Sequence, residues 1–148
     1  MRNRVEVMHG VNLDQLGRRD PVQYGTLNLD ALELRIERAA REIGLEARFF
    51  HTNHEGEFVE HLHRLDGLAD AVILNPGAWT HYSWAIRDAL ELAALPAVEV
   101  HLSDVRSRED FRRVSVFDGL PVRLGTVSGK GSDGYLDALE LVRAELAE

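Results

Sequence analysis

The sequence contains no cysteine, and of its 17 lysine and arginine residues only Lys130 is a lysine. Without cysteine the chain has no disulfide, no thiolate metal ligand and no cysteine nucleophile. Arginine does not form a Schiff base, so an imine mechanism would depend on Lys130 alone. These two scarcities therefore exclude thiolate chemistry and leave almost no basis for imine chemistry.

Long hydrophobic runs are also missing, since no apolar segment approaches the roughly 20 residues of a membrane helix. Residues 1–7 enter a strand-like segment directly, without the apolar stretch and cleavage site of a signal peptide. The formal net charge of −8 argues against nucleic acid as a partner. With 148 residues, 45% of them hydrophobic, the chain is expected to form one cytoplasmic domain over residues 1–148.

Strand-like and helix-like patterns alternate along the chain. Asn28 and Gly44 are placed to cap and to end a first long helix. Later helices are predicted to run from about Thr80 and from Gly134, with a capping-box pattern at residues 107–110 for a short one. This alternation predicts an α/β fold, a five-stranded parallel sheet with helices on both faces. The predicted strands cover residues 4–8, 45–50, 71–74, 96–100 and 122–127.

Polar residues follow four of the five predicted strands. They occupy residues 9–12, 51–54, 75–77 and 101–103. Asn, Gly, Pro and Ser also make ordinary turns, which would explain any one of these loops. Because ligands of parallel α/β sheets bind beyond the carboxyl ends of the strands, four such loops together predict a polar site at that edge.

The loop at residues 17–25 joins adjacent arginines, an Asp-Pro step and Tyr24 between two glycines. It is either an exposed surface loop or a lid that closes over an anionic ligand. Arginines beside a tyrosine favour its phenolate form, and a phenolate is a competent general base. The lid interpretation therefore predicts Tyr24 as a base.

Four arginines follow the fourth strand closely: Arg106, Arg108, Arg112 and Arg113. Such residues usually form a solvated helix face, but one at the strand's carboxyl edge could hold a substrate carboxylate in a bidentate grip. Together with a lid base and a strand-end histidine, this clamp describes proton abstraction next to a carbonyl group.

Two other kinds of site, one for a dinucleotide and one for a metal ion, have weaker support in the sequence. Residues 129–134 match the dinucleotide pattern G-x-G-x-x-G, but no later strand with an acidic residue follows, so glycines that support a helix start are the better interpretation. An anion at that helix N-terminus stays open. The seven histidines lack the spacing of a metal site, since His61 and His63 point to different faces of a helix. No metal is expected.

Seven segments spread over nearly the whole chain form a recognisable series: HGVNL (9–13), LGRRDPVQYG (16–25), NHEGE (53–57), NPGAWTHYS (75–83), RDAL (87–90), EVHLS (99–103) and REDFR (108–112). In this order they resemble the type II dehydroquinases (type II 3-dehydroquinate dehydratases). The resemblance implies a flavodoxin-like fold and a dodecamer built from four trimers. It also implies loss of water from 3-dehydroquinate to give 3-dehydroshikimate through an enolate, without metal or organic cofactor.

The resemblance assigns a catalytic role to five positions. Tyr24 would take the proton from the carbon beside the ketone, and Arg19 would favour its ionised form and stabilise developing charge. Asn12 would hold a water molecule at the enolate oxygen. His101, oriented by Glu99, would protonate the departing hydroxyl group.

Further positions are implied to bind the substrate. Asp88 would reach across a subunit interface into the neighbouring site, so that activity depends on assembly. The side chain of Ser103 and the 102–103 backbone would contact the substrate carboxylate. The substrate-binding residues of the resemblance are Asn75, His81, Asp88, Leu102, Ser103 and Arg112.

The chain departs from the usual family pattern at His9, Val11, Trp79 and the polar loop around Lys130. None of these removes a catalytic group, but they leave affinity, lid behaviour and the exact substrate open. One alternative is a non-catalytic flavodoxin-like module that binds a small anion or a partner and needs no lid base. Another is a flavin or nucleotide protein on the same fold. The resemblance also leaves open aromatic biosynthesis or quinate breakdown, since both use the same step.

Overall fold

The sheet has five parallel strands, β1 (Arg4–His9), β2 (Glu46–His51), β3 (Ala71–Asn75), β4 (Ala97–His101) and β5 (Arg123–Ser128). Their order across the sheet is β2-β1-β3-β4-β5. The computed structural model describes residues 1–24 and 26–148. This order is the flavodoxin-like one, with its switch point between β1 and β3. The predicted fold class is therefore confirmed.

Helices cover both faces of the sheet and create two apolar cores. The α-helices are α1 (Pro21–Tyr24), α2 (Leu29–Glu42), α3 (Glu55–His63), α4 (Trp84–Ala93) and α5 (Asp133–Leu146). Every residue of β3 is buried, as expected of a central parallel strand. Val7, Ile36 and Leu139 belong to the core beneath α2 and α5, whereas Phe58 and Ile86 belong to the core beneath α3 and α4.

The predicted ends of α2 are confirmed. The side chain of Asn28 accepts a hydrogen bond from the backbone N–H of Ala31 at 2.8 Å, which satisfies one of the free donors of the first turn. Gly44 follows the helix with φ +82°, a left-handed conformation that glycine adopts without strain. The glycine therefore turns the chain sharply into β2.

Two local predictions are wrong. The helix expected from about Thr80 begins at Trp84, because Ser83 accepts from the N–H of Ile86 and caps it there. Residues Gly77–His81 form a 3-10 helix instead. The capping box expected at residues 107–110 is absent, since Asp104 caps a 3-10 turn by accepting from the N–H of Arg106 at 3.1 Å. Further 3-10 turns cover Leu13–Gln15, Val105–Ser107 and Asp110–Arg113.

Two glycines let the loops after β1 and β3 touch. A Cβ atom on Gly10 would lie 2.4 Å from the carbonyl oxygen of Pro76, and one on Gly77 would lie 2.7 Å from that of Val11. The N–H of Gly10 donates to the carbonyl of Asn75 at 2.7 Å. This contact places the polar residues after β1 and β3 side by side. In the described part of the chain, no helix is both long and apolar enough to span a membrane.

Candidate active site

A cleft of about 600 Å³ opens at the carboxyl edge of β1, β3 and β4. It lies at the switch point of the sheet, where the sequence predicted a polar site. Nine of the eleven predicted site residues line it. These are Asn12, Arg19, Tyr24, Asn75, His81, His101, Leu102, Ser103 and Arg112.

The two remaining predicted residues lie elsewhere. Glu99 is buried behind His101 with 1% of its surface exposed. Asp88 is exposed on α4, outside the cleft lining. Its predicted place in a neighbouring subunit's site stays a prediction.

The loop after β2 supports the cleft and does not line it. The side chain of Asn53 accepts from the backbone N–H of Asn12 at 2.8 Å and donates to Asp14 at 3.1 Å. Asn12 has φ +70°, an uncommon conformation for a residue other than glycine. Asn53 therefore helps to hold Asn12 in the conformation that brings it to the cleft.

Tyr24 carries two cationic donors on its phenol oxygen. Arg19 donates through Nη2 at 2.7 Å, and its Cζ lies 3.7 Å from the ring centroid. Arg108 donates through Nη1 at 2.6 Å and also reaches the hydroxyl of Ser103 at 3.3 Å. Tyr24 ends the short helix α1 within the predicted lid, and Gly25, its second bracketing glycine, lies outside the described residues.

The contact of Arg108 with Tyr24 was missed by sequence reasoning. Arg108 was one of four arginines after β4, and the pattern gave no reason to choose it. The one feature of the sequence that distinguishes Arg108 is its position at the end of the Val105–Ser107 turn. Which arginine contacts Tyr24, 84 positions away in the chain, depends on tertiary packing.

His101 and Glu99 form a buried pair with a Nε2–Oε2 distance of 2.7 Å. Burial disfavours the charged carboxylate, but hydrogen bonds from His101, Thr80 and Ser115 and the charge of His101 outweigh this and hold the pKa of Glu99 at about 2. Glu99 is thus ionised at neutral pH and can only accept hydrogen bonds. Nε2 of His101 must therefore carry a hydrogen, which leaves Nδ1 as the nitrogen that can exchange a proton.

His81 lies beside His101, with ring centroids 6.3 Å apart. Its Nδ1 lies 2.7 Å from the carbonyl of Val114, which fixes Nδ1 as the donor. Burial, reinforced by the charges of His101 and Arg112, lowers the pKa of His81 below its usual value. A neutral ring presents Nε2 as an acceptor for a substrate hydroxyl group.

The glycine-rich loop that matched a dinucleotide pattern supports the end of β4. The N–H of Gly129 donates to the carbonyl of Ser103 at 3.0 Å, and the N–H of Gly131 donates to that of Leu102 at 3.1 Å. These bonds fix the backbone on the cleft wall. Within residues 1–24 and 26–148, no group of three or more His, Asp or Glu side chains is arranged to hold a metal ion.

The chain is similar to known proteins over nearly its whole length. Residues 3–143 match the family model described as dehydroquinase class II. A 3-dehydroquinate dehydratase from Thermotoga neapolitana is 49% identical over 142 residues, covering 96% of this chain and 95% of the relative. One from Halothermothrix orenii is 46% identical over 140 residues, covering 95% of this chain and 93% of the relative. The crystal structure of a type II dehydroquinase from Butyrivibrio crossotus superposes with a TM-score of 0.90 at 36% identity, covering 95% of this chain and 97% of that one. The chain belongs to the class II dehydroquinase family.

Proposed function

We propose that the protein is a 3-dehydroquinate dehydratase, a hydro-lyase that converts 3-dehydroquinate to 3-dehydroshikimate and water through an enolate. The observation that carries the proposal is one cleft lined both by Tyr24, which two arginines contact, and by His101, which is hydrogen-bonded to the buried Glu99 behind it. Elimination of water needs a base at carbon and an acid at the leaving oxygen. Family membership and the names of the relatives support the same reaction.

Tyr24 acts as the base. Hydrogen bonds from Arg19 and Arg108 stabilise the phenolate more than the neutral phenol, because both donors are permanently charged. The phenolate removes a proton from the carbon beside the substrate ketone. Negative charge then develops on the ketone oxygen, where a water molecule held by Asn12 and the positive charge of Arg19 stabilise the enolate.

His101 acts as the acid. Its Nδ1 delivers a proton to the hydroxyl group as the carbon–oxygen bond breaks, and the enolate collapses to the conjugated ketone. Ionised Glu99 orients the ring and stabilises the imidazolium before the transfer. A positioned acid of this kind contributes on the order of 10²–10⁴-fold to the rate.

The remaining cleft residues bind the substrate. The substrate carboxylate contacts the side chain of Ser103, the backbone of Leu102 and the guanidinium of Arg112. The planar guanidinium group of arginine matches the geometry of a carboxylate. Asn75 and His81 meet the ring hydroxyl groups. Asn75 is suited to donate, because its Oδ1 already accepts from the N–H of Gly77 at 3.0 Å.

We further propose that the protein works in the cytoplasm, without a cofactor, as a dodecamer built from trimers. In this assembly Asp88 enters the active site of a neighbouring subunit. Trp84, Asp88 and Leu92 are spaced four residues apart on α4, so they share one face. Trp84 is 62% exposed and Leu92 is 74% exposed. Large apolar side chains that flank an exposed carboxylate favour a subunit contact at this face. The reaction would serve aromatic biosynthesis or quinate breakdown.

The test follows absorbance of the conjugated ketone when purified protein meets 3-dehydroquinate, in the presence of a metal chelator. We expect turnover by the wild type that Tyr24→Phe and His101→Ala each reduce at least about 100-fold. Tyr82→Phe is the matched control, because it removes the hydroxyl of an exposed tyrosine outside the cleft. A folded, assembled wild type without turnover would contradict the proposal and favour an anion-binding module.

A further inference from the structure

Arg123, which the sequence did not single out, lies behind the acid pair at the start of β5. Its Nη1 donates to Oε1 of Glu99 at 3.0 Å and to Asp118 at 2.8 Å. Its side chain is 18% exposed, and Arg123 is not among the residues that line the substrate cleft. Arg123 therefore contacts the carboxylate oxygen that His101 does not use.

The two carboxylate oxygens of Glu99 accept hydrogen bonds from different groups, one from the imidazole of His101 and the other from the guanidinium of Arg123. Oε2 accepts from His101 at 2.7 Å and Thr80 at 2.8 Å. Oε1 accepts from Ser115 at 2.9 Å, Arg123 at 3.0 Å and Thr126 at 3.3 Å, and the Ser115 hydroxyl also lies 3.1 Å from Oε2. The three hydroxyl donors are neutral, so among the described hydrogen bonds of Glu99 the permanently charged donor is Arg123, which competes with protonated His101 for the charge of Glu99.

A second cavity of about 590 Å³, here called the rear cavity, reaches this pair from the side of β5. His81 faces His101 from the 3-10 helix that follows β3. Asp118, 63% exposed, binds Arg123, and its carbonyl accepts from Arg87 at 2.9 Å. The charged and titratable groups lining the rear cavity are Glu99, His101, Arg106, Arg112, Arg113, Asp118 and Arg123.

We propose that Arg123 is a positioning residue that sets the acid strength of His101 by sharing the charge of Glu99. This inference rests on the proposed role of His101 as the acid. If the Glu99 carboxylate interacted with the His101 imidazolium alone, His101 would hold its proton more tightly, because an opposite charge within about 4–6 Å favours the charged form. Arg123 offsets part of that attraction, so His101 releases its proton to the leaving hydroxyl group more readily.

The first measurement is an NMR titration of the His101 ring in the substrate-free protein, for wild type and Arg123→Gln. We expect the midpoint in Arg123→Gln to lie at higher pH by at least about half a unit. Arg123→Lys keeps the charge and should return the midpoint most of the way. Arg113→Gln is the matched control, since Arg113 lines the same cavity but pairs with Asp110 at 3.8 Å. It should leave the midpoint within about 0.2 units of the wild type.

The second measurement is the pH profile of turnover. In Arg123→Gln the alkaline limb of the kcat profile should move to higher pH, while kcat at neutral pH falls about threefold to tenfold because the acid is weaker. KM should change less than twofold, since Arg123 lies outside the cleft lining. A merely structural role would lower kcat without moving the limb.

An unchanged His101 midpoint in folded Arg123→Gln overturns the inference. The titration needs no turnover, so failure of the proposed reaction in the wild type is seen separately. Should Arg123→Gln not fold, Asp118→Asn tests the same coupling from an exposed position. Without the Asp118 carboxylate, Arg123 interacts with Glu99 alone, so the His101 midpoint should move to lower pH. A midpoint that does not move, or that moves to higher pH, overturns the inference.

Discussion

Replacement of Glu99 by glutamine should remove a pH-dependent part of the stability. The pKa of Glu99 is about 2 in the folded protein against 4.5 for an unperturbed glutamate, a difference of about 2.5 units. At about 1.4 kcal/mol per pH unit this corresponds to roughly 3–4 kcal/mol of unfolding free energy. A depressed carboxyl pKa stabilises the fold above the unfolded value. That contribution is lost as the pH falls from about 4.5 towards about 2.

The assay is urea unfolding followed by circular dichroism at a fixed protein concentration, for wild type and Glu99→Gln, between pH 6 and pH 2. The wild type should be more stable at pH 6, and the gap should narrow by roughly 2–3 kcal/mol by pH 2. Glu60→Gln is the control, because Glu60 is 65% exposed and pairs weakly with Arg64 at 3.6 Å. A gap between wild type and Glu99→Gln that stays constant over this range would refute the reasoning.

Three further predictions concern the lid, the loop contact and assembly. Arg108→Met should lower kcat at least about tenfold in the absorbance assay by removing one donor from Tyr24, and a change in KM alone would contradict this role. Gly10→Ala should destabilise the protein by at least about 2 kcal/mol in thermal unfolding, because the new Cβ would lie 2.4 Å from a backbone carbonyl oxygen. The control is Gly56→Ala in helix α3, which should be neutral or slightly stabilising because a Cβ atom there has open space. Trp84→Glu should shift the protein to smaller species in size-exclusion chromatography, and an unchanged elution volume would argue against a subunit contact on that face of α4.

Local physics explains why the sequence predicted the elements well. Burial on both faces makes a parallel strand continuously apolar, so residues 71–74 identified β3 without tertiary information. The Asn28 cap and the left-handed Gly44 are likewise properties of a few adjacent residues. The start of α4 was misplaced because Thr80 and Ser83 are both acceptable helix caps. The tertiary structure decides between them, because the hydroxyl of Thr80 donates to the buried carboxylate of Glu99. Thr80 therefore does not cap the helix.

The sequence by itself determined the alternation of strands and helices, the polar strand ends and the residues whose resemblance identified the family. Strand order, the choice of Arg108 over its neighbouring arginines as a contact of Tyr24, and the place of Arg123 behind Glu99 were decided only by the tertiary structure. Periodicity records which face of an element is buried, and a motif records residues close in the chain. Contacts between Arg108 and Tyr24 or between Arg123 and Glu99 join elements that packing alone brings together, so no local pattern encodes them.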